Sequence, residues 1–221
     1  MTTATYDKVL TEAFGPTEGT AKIVKQAVLV VAGILALAFM ANIKVPMWPV
    51  PITMGTFAVL TIGAAYGPRL GLATILGYMI IGALGFDVFA TSGGTAFGIE
   101  AGLLAMGIDL FPNAENATSG LTYMMGGTGG YLVGYVLATL ALGWAARQGW
   151  DRSILWMAVA MLIGNALIYI PGLLWLGQLY GWENPILAWG LTPFLVGDAL
   201  KLALAALLVP GLWKAIGNAR A

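Results

Sequence analysis

The feature that most constrains this chain is a series of apolar segments that approach or reach the length needed to cross a lipid bilayer. The first, residues 26–43, contains no charged side chain. A helix needs about 20 predominantly apolar residues to cross the hydrocarbon core. Only 9% of all residues are charged and 59% are hydrophobic, whereas soluble domains carry about 25% charged residues. The chain is therefore predicted to be an all-α integral membrane protein.

Breaks between the apolar segments predict a bundle of six transmembrane helices. Prolines forbid a regular helix in the loop of residues 44–51. The triplet Gly67-Pro68-Arg69 is a turn signal, so the apolar run around it is predicted to be a hairpin of two spans. The six predicted spans cover residues 26–43, 52–66, 70–86, 126–145, 154–176 and 186–212.

The polar segments predict the remaining organisation. Residues 1–25 lack the apolar core of a signal peptide and are expected to be a cytoplasmic tail. A membrane domain of residues 26–213 and a second cytoplasmic tail, residues 214–221, follow. The long extracytoplasmic loop, about residues 87–121, contains Glu100, Asp109 and Glu115 but no basic residue. Residues 98–110 within it are a candidate short or re-entrant helix.

The distribution of basic residues predicts the orientation. With six spans, both termini lie on one side of the membrane, and the opposite side receives only Lys44 among the basic residues. Positively charged residues are retained on the cytoplasmic side, so both termini are expected there. The basic residues of that side are Lys8, Lys22, Lys25, Arg69, Arg147, Arg152, Lys214 and Arg220.

Composition excludes several classes of function. The chain has no Cys and no His, which excludes disulfides, thiolate nucleophiles, imidazole metal ligands and a Ser–His–Asp centre. A net charge of zero without a basic run argues against nucleic-acid binding. The glycines that open the fourth span, Gly126, Gly130 and Gly134, are spaced to let another backbone approach closely. The Gly-rich segment of residues 126–130 lacks the lysine of a nucleotide-binding loop. No catalytic or metal site is predicted.

An acid and a base lie inside the last apolar segment. Asp198 and Lys201 are three residues apart, so they share one helix face and can partly neutralise each other. An unpaired ion near the bilayer centre costs about 2.5–3.5 kcal/mol. The pair is either a structural ion pair or a polar binding site, and the binding site is favoured. Asp198 is expected about midway along a helix entered from outside, with its polar atoms incompletely satisfied by the protein.

Other polar residues are predicted to join this site. Asn165 and Tyr169 are four residues apart on one face of the fifth span, although bonding between helices would explain them equally well. The start of the fourth span offers backbone amides and Tyr131. The proline-rich loop, with Trp48 and Thr53, is a candidate lid. Such a set of groups suits a small ligand with an amide-like or urea-like group and an acid.

Six motifs lie between about residues 50 and 208. They are Val50-Pro51-Ile52-Thr53-Met54, Phe57-Ala58-Val59-Leu60, Gly67-Pro68-Arg69-Leu70-Gly71, Thr128-Gly129-Gly130-Tyr131-Leu132-Val133-Gly134, Ile168-Tyr169 and Pro193-Phe194-Leu195-Val196-Gly197-Asp198-Ala199-Leu200-Lys201. In this order, they resemble the motifs of the BioY family of biotin-specific substrate-binding (S) components of energy-coupling-factor (ECF) vitamin transporters.

This resemblance implies a protein of the bacterial cytoplasmic membrane that captures biotin from outside and has no enzymatic activity or cofactor. It implies that a membrane coupling protein and ATPase subunits are its partners, and that only these ATPases use ATP. By resemblance, Asp198 and Lys201 bind biotin. The resemblance also implies that one group of residues closes over the ligand: Thr53, Gly129, Gly130, Tyr131 and the lid residues Trp48, Pro49 and Pro51. It implies that Ala32 and Ala36 dock on the coupling protein.

Two positions depart from the family pattern. Gly55 stands where glutamine is common, and Gly127 replaces a proline, so the lid geometry is expected to differ. Two rival functions remain open at this point. One is an autonomous secondary transporter in which Asp198 takes up a proton. The other is a membrane enzyme that uses Asp198 as acid or base.

Overall fold

The computed structural model describes residues 8–90 and 120–219, with side chains to residue 217. The predicted helix of residues 98–110 and most of the predicted loop lie outside the described residues. The helices are α1 (Gly19–Asn42), α2 (Gly55–Ala83), α3 (Gly120–Met125), α4 (Gly129–Arg147), α5 (Ile154–Tyr180), α6 (Ile186–Gly190) and α7 (Leu195–Ala219). Short 3-10 turns occupy Leu10–Ala13, Trp150–Arg152 and Thr192–Phe194, and two strands are β1 (Lys44–Val45) and β2 (Ile52–Thr53).

Helix α2 is a hairpin of two limbs, as the sequence predicts. Gly67 breaks it with φ 75° and ψ 177°, a backbone conformation that favours glycine, and Pro68 follows. A Cβ placed on Gly71 would lie 3.6 Å from the Cα of Gly63. Residues eight apart in a straight helix are about 12 Å apart, so the limbs fold back on each other. Counting α2 once, five of the described helices are long and apolar enough to cross a membrane. The all-α bundle with six membrane-embedded segments is therefore confirmed.

The predicted start of the second span at residue 52 is wrong. Ile52 and Thr53 instead form strand β2, which pairs antiparallel with β1, with Lys44 opposite Thr53. β-Branched residues favour this extended conformation, and the proline-rich loop between the strands turns the chain back on itself. Helix α2 therefore begins only at Gly55.

The predicted last span is divided in two. Leu191, with φ −130° and ψ −59°, interrupts the helix after α6, and Pro193 starts the next turn. Proline has no N–H to continue a helix but suits its first turn. Asp198 consequently lies in the first turn of α7, while the apolar segment that is long enough to span the membrane runs from Ile186 to Gly217 and keeps Asp198 near its middle, as expected. Helix α7 also continues to Ala219, beyond the predicted end at residue 212.

Residues 8–18, which precede α1, pack against the bundle. Helix α1 begins at Gly19, before the predicted boundary at residue 26. Val9 is fully buried against Gly67, whose added Cβ would meet it at 3.1 Å. Glu12 forms an ion pair with Arg147 at 2.8 Å. These contacts hold the N-terminal segment across the hairpin turn of α2 and the end of α4.

Glycines allow α4 to lie close to its neighbours, which fixes the centre of the bundle. A Cβ on Gly134 would lie 2.5 Å from the Cα of Ile168 in α5, and a Cβ on Gly130 would overlap the Pro171 carbonyl. The predicted close helix approach at these two glycines is confirmed. Gly126, the third glycine of the predicted row, lies in the turn before α4.

A buried lysine–aspartate pair and its cavity

The Lys201 ammonium is buried and has a hydrogen-bond partner for each of its three protons. The side chain of Lys201 is 10% exposed and that of Asp198 is 6% exposed. Lys201 Nζ donates to Asp198 Oδ1 at 2.9 Å, to the Thr53 carbonyl oxygen at 2.7 Å and to Thr56 Oγ1 at 3.0 Å. The Lys201 side chain thus links α7 to Thr53 in β2 and to Thr56 in the first turn of α2.

Both carboxylate oxygens of Asp198 are also satisfied. Oδ1 accepts from Lys201 and, at 3.5 Å, from the Thr56 hydroxyl, while Oδ2 accepts from the Tyr169 hydroxyl. The expectation of an incompletely satisfied pair is therefore wrong for this conformation. Burying a charge is tolerated when both partners are hydrogen-bonded. Thr56 makes this possible because its hydroxyl accepts from the lysine and donates to the aspartate.

A cavity of about 50 Å³ is lined by Lys201 and by Tyr169, the two hydrogen-bond partners of Asp198. Polar atoms of Thr53, Thr56 and Lys201 line one part of it, and aromatic rings from four segments of the chain line much of the rest. The aromatic lining residues are Tyr78, Phe89, Tyr123, Tyr131, Tyr135, Tyr169 and Phe194.

Tyr131 is held at the cavity by a hydrogen bond that spans two helices. Its hydroxyl donates to the carbonyl of Gly190 at 2.8 Å, and its ring meets the Tyr169 ring edge-on at 6.1 Å between centroids. The sequence places Tyr131, Tyr169 and the Asp198–Lys201 pair in one site, and the structure brings them together. A tyrosine hydroxyl used in this way orients the ring that faces the cavity.

The proline-rich loop lies over the mouth of the cavity. Pro51 lines the cavity itself, while Trp48 is 65% exposed. The Trp48 ring packs edge-on against Trp189 at 4.9 Å and against Tyr180 at 5.3 Å. These contacts join the loop to the ends of α5 and α6. The lid role of residues 46–51 stays a prediction. The location of the loop beside the cavity favours it.

The two departures from the family pattern lie at this mouth. A Cβ on Gly127 would approach the Pro49 carbonyl oxygen to 3.0 Å, so glycine lets the loop pass close to the turn before α4. A Cβ on Gly55 would lie 3.1 Å from the Tyr135 hydroxyl oxygen. A larger side chain at position 55 would therefore compete with Tyr135 for space.

Asp198 is not a lining residue itself, but its hydrogen-bond partners Lys201 and Tyr169 line the cavity. Three other predicted site residues also lie away from the cavity lining. The amide of Gly129 donates to Gly126 O at 3.1 Å and is not exposed for a ligand. Gly130 lies at the crossing of α4 and α5. Asn165 lies one turn before Tyr169, and its buried side-chain oxygen has no hydrogen-bond partner among the described residues. The lining residues of the cavity do not include these three.

Sequence reasoning missed the bridging threonine and part of the aromatic wall. Thr56 follows Thr53 by three residues, and Tyr135 follows Tyr131 by four, so helical spacing was a signal for both. Nothing in the sequence pairs Phe89 with Tyr123, whose rings stack at 4.9 Å. Burial raises the pKa of Tyr123 to about 12, so its hydroxyl is protonated at neutral pH.

Metal binding and docking give two further observations. Within residues 8–90 and 120–219, no group of three His, Cys, Asp or Glu side chains is placed to hold a metal ion. Ala32 and Ala36 are exposed on one face of α1, beside exposed Val28, Leu35 and Phe39. Their docking role stays a prediction.

Comparison with known proteins gives a consistent set of relatives. The BioY family model matches residues 10–105 and 101–218. A probable biotin transporter BioY of Pyrococcus horikoshii is 31% identical over 184 residues, covering 83% of this chain and 93% of the relative. The biotin transporter BioY of Thermotoga maritima is 27% identical over 182 residues, covering 81% of this chain and 92% of the relative.

The fold also matches a solved structure. The crystal structure of the S-component for biotin from an ECF-type ABC transporter aligns with a TM-score of 0.63 and 19% identity, covering 90% of this chain and 95% of that one. This likeness supports the membrane bundle. Together with the family match and the spanning helices, it makes this a multi-pass membrane protein. The chain belongs to the BioY family.

Proposed function

We propose that this chain captures biotin and serves as the substrate-binding subunit of an ECF-type transporter. The observation that carries the proposal is the buried Lys201–Asp198 pair, hydrogen-bonded at 2.9 Å beside an aromatic-lined cavity. Relatives named as biotin transporters support the choice of ligand. A membrane scaffold would have no need for this polar cavity.

The chemistry of the site suits the functional groups of biotin. The ureido group of biotin has N–H donors and a carbonyl acceptor, and its side chain ends in a carboxylate. Asp198 can accept from a ureido N–H, and the Lys201 ammonium can donate to an oxygen of the ligand. Each group would exchange a present partner, such as the Thr56 hydroxyl, for the ligand. The aromatic rings would cover the apolar part of the ring system.

Binding requires the cavity to enlarge. A water molecule needs about 10–15 Å³ measured in this way, so a cavity of about 50 Å³ holds only a few waters. A bicyclic ring with an acid chain is several times larger. The loop of residues 46–51 is the element to move, because Val50 and Pro51 line the cavity. Opening it would release the ring contacts of Trp48 and the buried side chain of Val50.

Transport would depend on partner subunits. The chain lacks a nucleotide-binding lysine motif, so ATP would be used only by partner ATPases, and the subunit itself would need no cofactor and catalyse no reaction. The exposed face of α1 with Ala32 and Ala36 would dock on a membrane coupling protein, because small residues let another helix approach closely.

Biotin titration of the purified protein tests the proposal. Asp198→Asn and Lys201→Ala should each nearly abolish binding, whereas Lys214→Ala, which removes an exposed lysine near the end of α7, should not. Unchanged affinity in both site variants would contradict biotin capture by this pair. Uptake by this protein alone in proteoliposomes, driven by a pH gradient, would contradict the dependence on partner subunits.

A further inference from the structure

A second cavity lies at the opposite end of the bundle from the Lys201 site, where the N-terminal segment meets α1 and the α2 hairpin turn. Its volume is about 290 Å³. Five basic side chains and one acidic side chain line it, a strong excess of positive charge for one cavity. These residues are Lys8, Lys22, Lys25, Arg69, Arg147 and Glu12.

The acidic residue does not neutralise this cavity. Glu12 is paired with Arg147 at 2.8 Å. No described carboxylate lies within ion-pair distance of Lys22, Lys25 or Arg69. The Lys25 ammonium donates to the Phe14 carbonyl, which orients it toward the N-terminal segment. The remaining positive charge is therefore available to an anion.

An apolar groove of about 400 Å³ adjoins the basic cavity. The two share Thr11, Pro16, Lys25 and Leu29 in their linings. Leu10 and Phe14 extend the groove on the apolar side, and Phe14 is 53% exposed. A basic cavity and an apolar groove therefore meet at Lys25, at the end of α1 where the apolar span begins.

We propose that an anionic phospholipid binds here, with its phosphate in the basic cavity and an acyl chain along the apolar groove. Basic pockets beside membrane helices bind anionic head groups through the same charge complementarity. The groove favours a lipid over a soluble phosphate, because a free anion has no acyl chain to pack against Leu10 and Phe14. The site holds the packed N-terminal segment on the bundle by contacting both.

Native mass spectrometry of the full-length protein, released from detergent, tests this assignment. Phosphatidylglycerol and phosphatidylcholine with the same acyl chains are titrated separately. We expect phosphatidylglycerol to be retained about tenfold or more over phosphatidylcholine, because only phosphatidylglycerol carries a net negative charge to meet the basic side chains. The double variant Lys22→Gln/Arg69→Gln should lose most of this preference. Lys214→Gln, a matched loss of an exposed positive charge outside the cavity, should keep it.

Two further measurements separate head-group binding from acyl-chain binding. Glycerol 3-phosphate supplies the head-group chemistry without acyl chains, and it should not displace the retained lipid at millimolar concentration. Phe14→Ser should weaken retention of phosphatidylglycerol and leave biotin binding unchanged. Equal retention of both lipids, an undiminished preference in the double variant, or displacement by glycerol 3-phosphate would each overturn the proposal. The melting temperature and biotin affinity of the double variant show that it is folded.

Discussion

The Lys201 ammonium donates to the backbone carbonyl of Thr53 at 2.7 Å, which ties the first turns of α7 to strand β2. That strand ends the proline-rich loop over the cavity. The same ammonium also holds Asp198. A ligand that takes a hydrogen bond from Lys201 therefore acts on the loop as well as on the charge pair. Ligand binding and the position of the loop are therefore linked through the hydrogen bonds of Lys201.

Lys201→Met should destabilise the protein by about 3–5 kcal/mol, because it leaves Asp198 as a buried charge without its cation. The double variant Asp198→Asn/Lys201→Met removes both charges and should recover most of the melting temperature without recovering biotin binding. Melting temperature and biotin titration on the wild type and the two variants check both effects. Recovery of binding in the double variant would show that the charges are not used on the ligand.

Tyr169→Phe should weaken biotin binding by about tenfold, because it removes the hydroxyl that donates to Asp198 Oδ2, and a buried acceptor left unsatisfied costs about 1–3 kcal/mol. Tyr180→Phe is the matched control, since its ring packs on Trp48 outside the charge cluster. Isothermal titration with biotin compares them. Equal affinities in the two variants would mean that the Tyr169 hydroxyl does not order the carboxylate.

Gly130→Ala should lower the melting temperature strongly with or without biotin, because the added methyl would overlap the backbone carbonyl of Pro171 and the Cβ of Trp175, neither of which is the end of a flexible side chain. Gly211→Ala, where no atom lies within 4 Å of the new methyl, should be neutral or slightly stabilising, by at most about 1 kcal/mol. Thermal unfolding of both variants, with and without biotin, measures these changes in melting temperature. A folded Gly130→Ala protein with reduced biotin affinity alone would restore the predicted ligand-contact role.

Asp151 should make stability fall as pH rises. It lies between α4 and α5, is fully buried, and burial raises the pKa of its carboxyl from 3.8 to about 6, partly opposed by the Trp213 hydrogen bond and by Arg152. Below pH 4 the group is protonated in folded and unfolded chains alike. Between pH 4 and 6 only the unfolded chain ionises, so stability is lost across that window, by at most about 3 kcal/mol.

Melting temperatures of wild-type protein and Asp151→Asn between pH 4 and 8 measure this contribution. The wild type should lose stability relative to the variant up to about pH 6 and run parallel to it above. The asparagine keeps an acceptor for the Trp213 N–H. Parallel curves over the whole range would contradict a raised pKa at Asp151.

Features that depend on the conformational preferences of a few neighbouring residues could be predicted from the sequence. The turn at Gly67-Pro68 was predictable because proline and a positive-φ glycine leave few other conformations, and the close approach at Gly134 followed from small residues spaced along one helix face. The break before α7 was not predicted. Pro193 was visible in the sequence, but a proline also occurs inside α5 at Pro171 without ending it.

The sequence by itself determined that the chain is a membrane bundle and that Asp198 and Lys201 can pair on one helix face, because apolar length sets the first outcome and the three-residue spacing sets the second. Only the tertiary structure decided which groups satisfy that pair. Thr56 and the Thr53 carbonyl are more than 140 residues away along the chain. Their placement depends on where the α2 limb packs against α7, and such distant contacts leave no periodic signal in a single sequence.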